Sequence, residues 1–455
     1  MPAVSSAKFK KLTGQAFGCG CLSLLLCVFG GFLLITRMFR EDSAKLPSDL
    51  DLARSMELPL EVGDLHQGMS ATSENAAPVY LEAIKEFHKL PEDESRHLWL
   101  PRNPTARDRA VRNKAIKSFA PVLRLIEQAS RLPRCDFGEL QIASASMRFV
   151  NRPMLQHERE FSQISNYVIA DARIKISQLD FDGAVQDLLT LKRMANHCPE
   201  FSVTTGVAWP FYADMSMMSG LWRVTLRYPK DPVMLGQISQ LVNDIKIPNL
   251  YKSIQARFVL GRTTIQQMKS LQEVGLDQTT PEAFTKAVDA LFQSPGVRQA
   301  FDERFVRTYI RTFKALPQDH EDWMRIHTVL KRLNKEVADD QSIDNVINRA
   351  LGIASANAPL MHGWLQTQQR ILAQAISVLR QRSTTGHYPP NLPLTGELSI
   401  DPFSQKPLRY APTLYGFEIS NTVMDFGKQC PYYMKRPIVF KYDERREPPI
   451  NRTAY

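Results

Sequence analysis

The chain lacks the short motifs by which a sequence most often declares its chemistry. Its 455 residues contain no C-x-x-C pair, no H-E-x-x-H, no G-x-S-x-G elbow, no P-loop and no G-x-G-x-x-G fingerprint. Without paired thiolates, or two imidazoles on one helix face, a zinc ion has no tetrahedral cage. Without a glycine-rich turn leading into a helix, no phosphate cradle or nucleophile elbow is signalled. Cysteine is scarce as well. Of six in all, Cys19, Cys21 and Cys27 fall in one apolar run, which leaves Cys135, Cys198 and Cys430 for the rest of the chain. That excludes a disulfide framework; two of the three can pair, or all can be free buried thiols.

Charge of one sign is also in short supply. Of the formal net charge of +10, +5 belongs to residues 1–40, which hold five basic and no acidic residues. The remainder carries a mild, scattered excess. Nucleic-acid binding wants a concentrated basic stripe with interleaved aromatics, so no nucleic-acid partner is expected. Hydrophobic residues at 44% and charged residues at 23% are ordinary for a globular protein, and the length suffices for two or three domains.

Long apolar runs are absent with one exception. From Ala16 to Thr36 the chain reads AFGCGCLSLLLCVFGGFLLIT, 21 residues without a charge. A helix of that length spans about 30 Å, the thickness of a bilayer's hydrocarbon core. No small-residue cleavage site follows; the run ends in Arg37-Met38-Phe39-Arg40. The expectation is a retained transmembrane helix at 16–36 behind a cytoplasmic tail at 1–15. Lys8, Lys10 and Lys11 precede it and Arg37, Arg40 and Lys45 follow it, so flanking charge alone is nearly balanced. The very short N-terminal tail tips the expectation to a cytoplasmic N-terminus and a periplasmic or extracellular body.

The rest reads as mainly helical. Residues 37–72 are polar, with Pro47, Pro59, Gly63 and Gly68, and are expected to be a linker. Ser73 and Asn75 are good N-caps for a helix to about Leu90, with Pro78 in its first turn. A second helix is expected at 105–130. A hairpin follows at 155–195, its turn at Leu179–Gly183 and its second arm placing Ala184, Val185, Leu188, Leu189, Leu191 and Met194 on one face. Further helices are expected at 205–227, 232–246, 249–274, 281–291, 297–315, 319–350 and 356–383. After residue 385 the texture turns to short strand-like runs between prolines.

Several residues come near to a site and fall short of one. His157-Glu158 and His320-Glu321 begin like a zinc helix, but Phe161 and Met324 stand where the second histidine belongs. Asn196-His197-Cys198 puts an imidazole beside a thiol, yet adjacent residues point apart, and a histidine at a helix C-terminus complements the dipole. Asp180-x-Asp182-Gly183 starts like a calcium loop whose closing acid would fall on Leu191, so it reads as a turn. No catalytic, cofactor-binding or metal-ligating residue is therefore assigned, and no cofactor is expected.

Residues 368–427 carry a resemblance. They run from a helix through Gly386-His387-Tyr388-Pro389 to Asp401-Pro402-Phe403 and Tyr410, then Gly416-Phe417-Glu418-Ile419-Ser420. This order resembles the soluble module of the major pseudopilins of type II secretion: a helix, a G-x-Y-P turn, a D-P-[WF] turn and strand, and a final strand. The resemblance implies one helix followed by a small antiparallel sheet packed through Tyr388, Phe403, Tyr410 and Phe417. Where those proteins have a Gly-Asp-rich calcium loop, only Asp425 matches here, so no calcium is implied. The apolar run lacks the acid a prepilin needs, so pilin processing is not implied either. The anchor, the ENAAPVYLEA helix and this module together resemble large bacterial envelope proteins of no established function.

The expected fold is thus mainly α. It comprises an N-terminal transmembrane helix, an antiparallel helical-hairpin array at 73–367, a small α+β module with a short antiparallel sheet at 368–427, and a solvated tail at 428–455. The expected role is a membrane-anchored, extracytoplasmic, non-enzymatic binding or scaffolding module. Its partners would be the lipid bilayer, through residues 16–36, and proteins on the helical surface. The alternative is an envelope hydrolase whose site is assembled from residues distant in sequence.

Overall fold

The computed structural model describes residues 46–61, 64, 74–91, 98, 105–135, 158–197, 208–245, 247, 249–267, 295–317, 322–340, 356–422 and 437–445. The segment 16–36, the expected helix at 281–291, and His157, Cys198, His320, Asp425 and Cys430 lie outside them. Among the described residues no helix is long and apolar enough to cross a membrane. Those residues are mainly helical, with a small three-stranded antiparallel sheet near the C-terminus.

The helices are α1 (Leu46–Ser55), α2 (Ala77–Phe87), α3 (Ala106–Ser130), α4 (Glu158–Gln178), α5 (Phe181–His197) and α6 (Ala208–Arg227). They continue as α7 (Pro232–Asp244), α8 (Leu250–Gln267), α9 (Pro295–Ala315), α10 (Trp323–Asp339) and α11 (Ala358–Thr385). A short 3-10 turn (Gly396–Ser399) leads to β1 (Arg409–Thr413), β2 (Gly416–Ser420) and β3 (Val439–Asp443). The starts are written locally. Asn75 accepts from the Ala77 N–H at 3.1 Å ahead of Pro78, and Thr105 and Asp108 form a reciprocal capping box for α3. Asp231 caps α7 through the Val233 and Met234 N–H groups.

Two apolar cores result. The smaller gathers Tyr80, Phe87, Phe119, Ile126 and Tyr167 from α2, α3 and α4 with Leu191 and Met194 of α5. The larger draws on α1 and on everything from α6 to the sheet, and is centred on Phe258, Phe305, Tyr309, Ile371, Leu372, Phe417 and Phe440. The α4–α5 hairpin serves both: Ile164, Tyr167 and Met194 face the first, Ala172, Phe181 and Leu188 the second. Helix α11 is buried along most of its length and packs against α6, α7, α8, α10 and the sheet. It ends at Gly386, whose φ of +79° gives the left-handed turn that glycine adopts without a Cβ penalty.

Four boundaries differ from expectation, the simplest being the helix expected at 319–350, which runs from Trp323 to Asp339 and stops where Asp340 turns extended. The linker at 37–72 contains α1, ten residues that dock on α9. Its periodicity is too short to show in sequence, and Ala53, Leu58 and Leu60 become buried only because α9 is there to cover them. The tail at 428–455 contains β3, in which Phe440 is fully buried and paired with Ile419 of β2. An excess of charge around a five-residue alternation hid that strand. The boundary at 367/368 falls inside the continuous α11, so the helix entering the C-terminal module is also the spine of the helical body. The sheet itself is a meander in the order β1-β2-β3, with Tyr410 opposite Ile419 and Phe417 opposite Tyr442.

The aromatic residues expected to pack the module divide between two neighbours. Phe417 meets Tyr388, Tyr410 and Phe440 at centroid distances of 5.6, 6.2 and 5.7 Å. Phe403 instead lies on α11 beside Gly363, where an added Cβ would come within 2.7 Å of its ring and 2.8 Å of Trp323. The Asp401 turn holds it there: the carboxylate accepts from the Phe403 N–H and the Ser404 hydroxyl at 3.2 and 2.7 Å.

Candidate functional site

Polar chemistry inside the body collects along the seam between the two cores. Lys175 of α4 donates to both oxygens of Asp187 of α5 at 2.8 Å and lies 2.9 Å from Asp171, one turn back on its own helix. Two carboxylates thus share one ammonium, and the surplus negative charge raises the cost of ionising both. Burial, with Asp171 and Glu127 adding repulsion against the opposing pull of Lys175, pushes the Asp187 carboxyl up to about 7. Burial alone would lower Lys175, but its bonds to Asp187 and Asp171 outweigh that and hold it above its ordinary value.

One and a half turns further along α5, Lys192 donates to Asp214 of α6 at 2.8 Å. Asp214 is fully buried, and burial raises its carboxyl against the opposing pull of Lys192; its Oδ2 has no hydrogen-bond partner among the described residues. At the end of α5, His197 lies between Tyr80 and the C-terminal end of α3. Its Nε2 donates to the Leu132 carbonyl at 2.8 Å, so Nδ1 accepts from the Tyr80 hydroxyl at 2.9 Å. Burial lowers its basicity. The imidazole ties three helices together.

The residues that came near to motifs fall into structural roles. Asp180 accepts from the Gly183 N–H at 3.0 Å and caps α5, so the turn expected over Leu179–Gly183 is confined to Leu179 and Asp180 and the helix starts at Phe181. Phe161 is buried in the smaller core, and Met324 packs against the larger. No group of three or more His, Cys, Asp or Glu side chains able to hold a metal ion occurs among the described residues.

Ion pairs also fix α1. Arg262 of α8 donates to Asp302 of α9 at 3.1 Å and to the Leu60 carbonyl at 3.0 Å, while Arg307 of α9 meets Glu303 and, at 3.5 Å, Asp49 of α1. Sequence reading missed this staple because its links from Arg262 to Asp302 and Leu60 and from Arg307 to Asp49 join residues 40 to 258 positions apart.

One surface groove, about 460 Å³ in volume, runs between α7 and α11. Ser239 and Asn243 form one wall, Ser377, Arg380, Gln381 and Thr384 the other, with Leu394 and Leu398 at its edge. Gln374 donates to the Leu394 and Leu398 carbonyls at 2.7 and 3.1 Å, and Gln369 to those of Val242 and Ile245 at 2.7 and 3.0 Å. The α7 wall and the Leu394–Leu398 edge are therefore pinned to α11. Hydroxyls, amides and one guanidinium suit a polar or anionic segment laid along the groove. No protein-family model, curated protein or solved structure matches the chain.

Proposed function

We propose that the chain is a membrane-anchored extracytoplasmic protein with a cytoplasmic N-terminus, working as a non-enzymatic binding or scaffolding unit. Its parts in this reading are a transmembrane helix at 16–36, an antiparallel helical-hairpin array and a pseudopilin-like C-terminal module. The observation that carries it is the docking of α1. Nine residues separate the uncharged run from Leu46, and α1 with the turn that follows it is then fixed to the body by Asp49, Ala53, Leu58 and the Leu60 carbonyl. A body joined this closely to a bilayer span is held at the membrane surface instead of ranging on a long tether. The α7–α11 groove, with its fixed polar walls, supports the binding role. The chain reversals at Gly386, Asp401–Gln405 and Thr413–Gly416 support the pseudopilin-like reading of the module.

Alkaline carbonate treatment of membranes should leave the full chain in the pellet. Alkaline phosphatase fused after Tyr455 should be active. Extraction into the supernatant would remove the anchor, and an inactive fusion beside an active cytoplasmic reporter would reverse the orientation.

A further inference from the structure

We infer that the exposed face of the α9–α10 hairpin is a docking surface for the anionic phospholipid headgroups of the bilayer that holds the chain. This inference rests on the anchored reading above. Helix α10 is strongly two-faced. Trp323, Ile326, Leu330 and Leu333 are buried against the larger core, whereas Lys331, Arg332 and Lys335 are exposed on the opposite side. Helix α9 runs antiparallel beside it, as its Arg304 pairs with Asp340 and its Arg311 with Glu336. Arg311 and Lys314 extend the same exposed surface. Among the described residues of this patch, Arg311, Lys314, Lys331, Arg332 and Lys335 stand beside Glu336 and Asp339, and Glu336 is shared between Arg311 and Arg332. The surplus charge lies on Lys314, Lys331 and Lys335.

Position singles this surface out from an ordinary solvated one. Arg307 meets Asp49 in the first turn of α1, and Arg311 lies one turn further along α9. The patch therefore adjoins the corner at which the chain enters the body. Residues 37–45, nine in number, separate that corner from the apolar run, and fully extended they reach about 30 Å. Covalent connection thus keeps this corner near the bilayer. Lysine and arginine close to an anionic leaflet are attracted to it, with a range set by the Debye length of about 8–10 Å. The surface is charged and, among the described residues, without exposed aromatics, which suits contact with headgroups over insertion among acyl chains.

The test uses the full chain in nanodiscs of phosphatidylcholine with or without phosphatidylglycerol, carrying a photo-crosslinking residue in place of Thr328, which is exposed on α10. Lipid adducts at this position should be about tenfold more abundant with phosphatidylglycerol. They should fall to the phosphatidylcholine level in K331E/R332E/K335E and in the uncharged K331Q/R332Q/K335Q, and should weaken as salt rises. Both variants alter exposed positions, and an unchanged melting temperature would show that the fold is kept. Equal yields in the two lipids, or yields insensitive to both variants, would overturn the surface while leaving the anchor standing. So would a protein adduct replacing lipid when the same experiment is run in native membranes. Failure of the chain to enter nanodiscs at all would remove the anchor and this surface with it.

Discussion

In the smaller core the ring of Phe119 stacks on Tyr167 at 4.5 Å, Tyr80 meets Phe161 edge-on at 4.9 Å, and a neutral chain of hydrogen bonds through His197 binds three helices. In the larger core Phe258, Phe305 and Tyr309 pack against one another, and the polar contacts beside them include the salt bridges Arg262–Asp302 and Arg307–Glu303. The α4–α5 hairpin between them holds two further buried pairs, Lys175–Asp187 and Lys192–Asp214. Apolar burial supplies most of the stabilisation in both regions. They differ in what a change of protonation or the loss of one partner does. A neutral hydrogen bond lost costs little, whereas an ion pair broken in the interior leaves a charge without compensation.

The largest effects should come from the rings and should be equal in the two regions. Phe119→Ala and Phe403→Ala should each cost about 3–5 kcal/mol in chemical denaturation. Hydrogen exchange should show the first opening α2 and α3 and the second opening α11. If both variants release the whole chain together, the two cores are one cooperative unit. Lys192→Met should also cost about 3–5 kcal/mol, because it strands the fully buried Asp214. K192M/D214L should recover most of that loss, and a double-mutant cycle without recovery would show that the pair is not the seam's main polar contact.

Protonation should act in opposite directions at two points of α5, His197 at its end in the smaller core and Asp187 in the seam between the cores. Burial keeps His197 neutral in the folded chain, so the unfolded chain binds more protons and stability falls as pH drops below about 6.5. The carboxyl of Asp187 is raised, so the folded chain binds more protons and stability falls as pH rises from about 4 to about 7. Asp187→Asn should flatten that second decline and leave the first unchanged, measured as the midpoint of denaturation across pH. A decline that persists unaltered would place the titrating proton elsewhere in the seam.

Smaller still, Tyr80→Phe should cost about 1 kcal/mol and raise the His197 pKa as seen by NMR, since the ring loses one neutral partner. Asp49→Ala removes a half-exposed pair and should cost less than about 1 kcal/mol. Its exchange signature should be confined to α1, which would separate the staple's local role from the global stability of the larger core.

Much of the fold was legible because its signals are local. Pro78 falls in the first turn of α2 as read and Asp180 opens α5, whereas Asn75 only accepts from the Ala77 N–H while Ala76 is the N-cap. The Thr105–Asp108 capping box and the Gly386 stop are equally local signals. Where the signal is short or split, reading fell short. α1 has ten residues and β3 five, and each owes its burial to a partner far along the chain. The candidate site was less legible than the fold: the seam pairs and the groove walls join side chains from different helices, and no spacing rule encodes them.

By itself, then, the sequence determined the uncharged 21-residue run, the helix ends and the turns of the C-terminal module, since composition, capping and backbone restriction act over a few residues. The tertiary structure alone decided that α11 runs unbroken from body to module, that α1 is stapled by Asp49 and the Leu60 carbonyl, and that Lys175 and Lys192 are buried as ion pairs. The physical reason is that a charge becomes a structural bond only where packing has removed its water, and which residues lose their water depends on elements hundreds of positions apart.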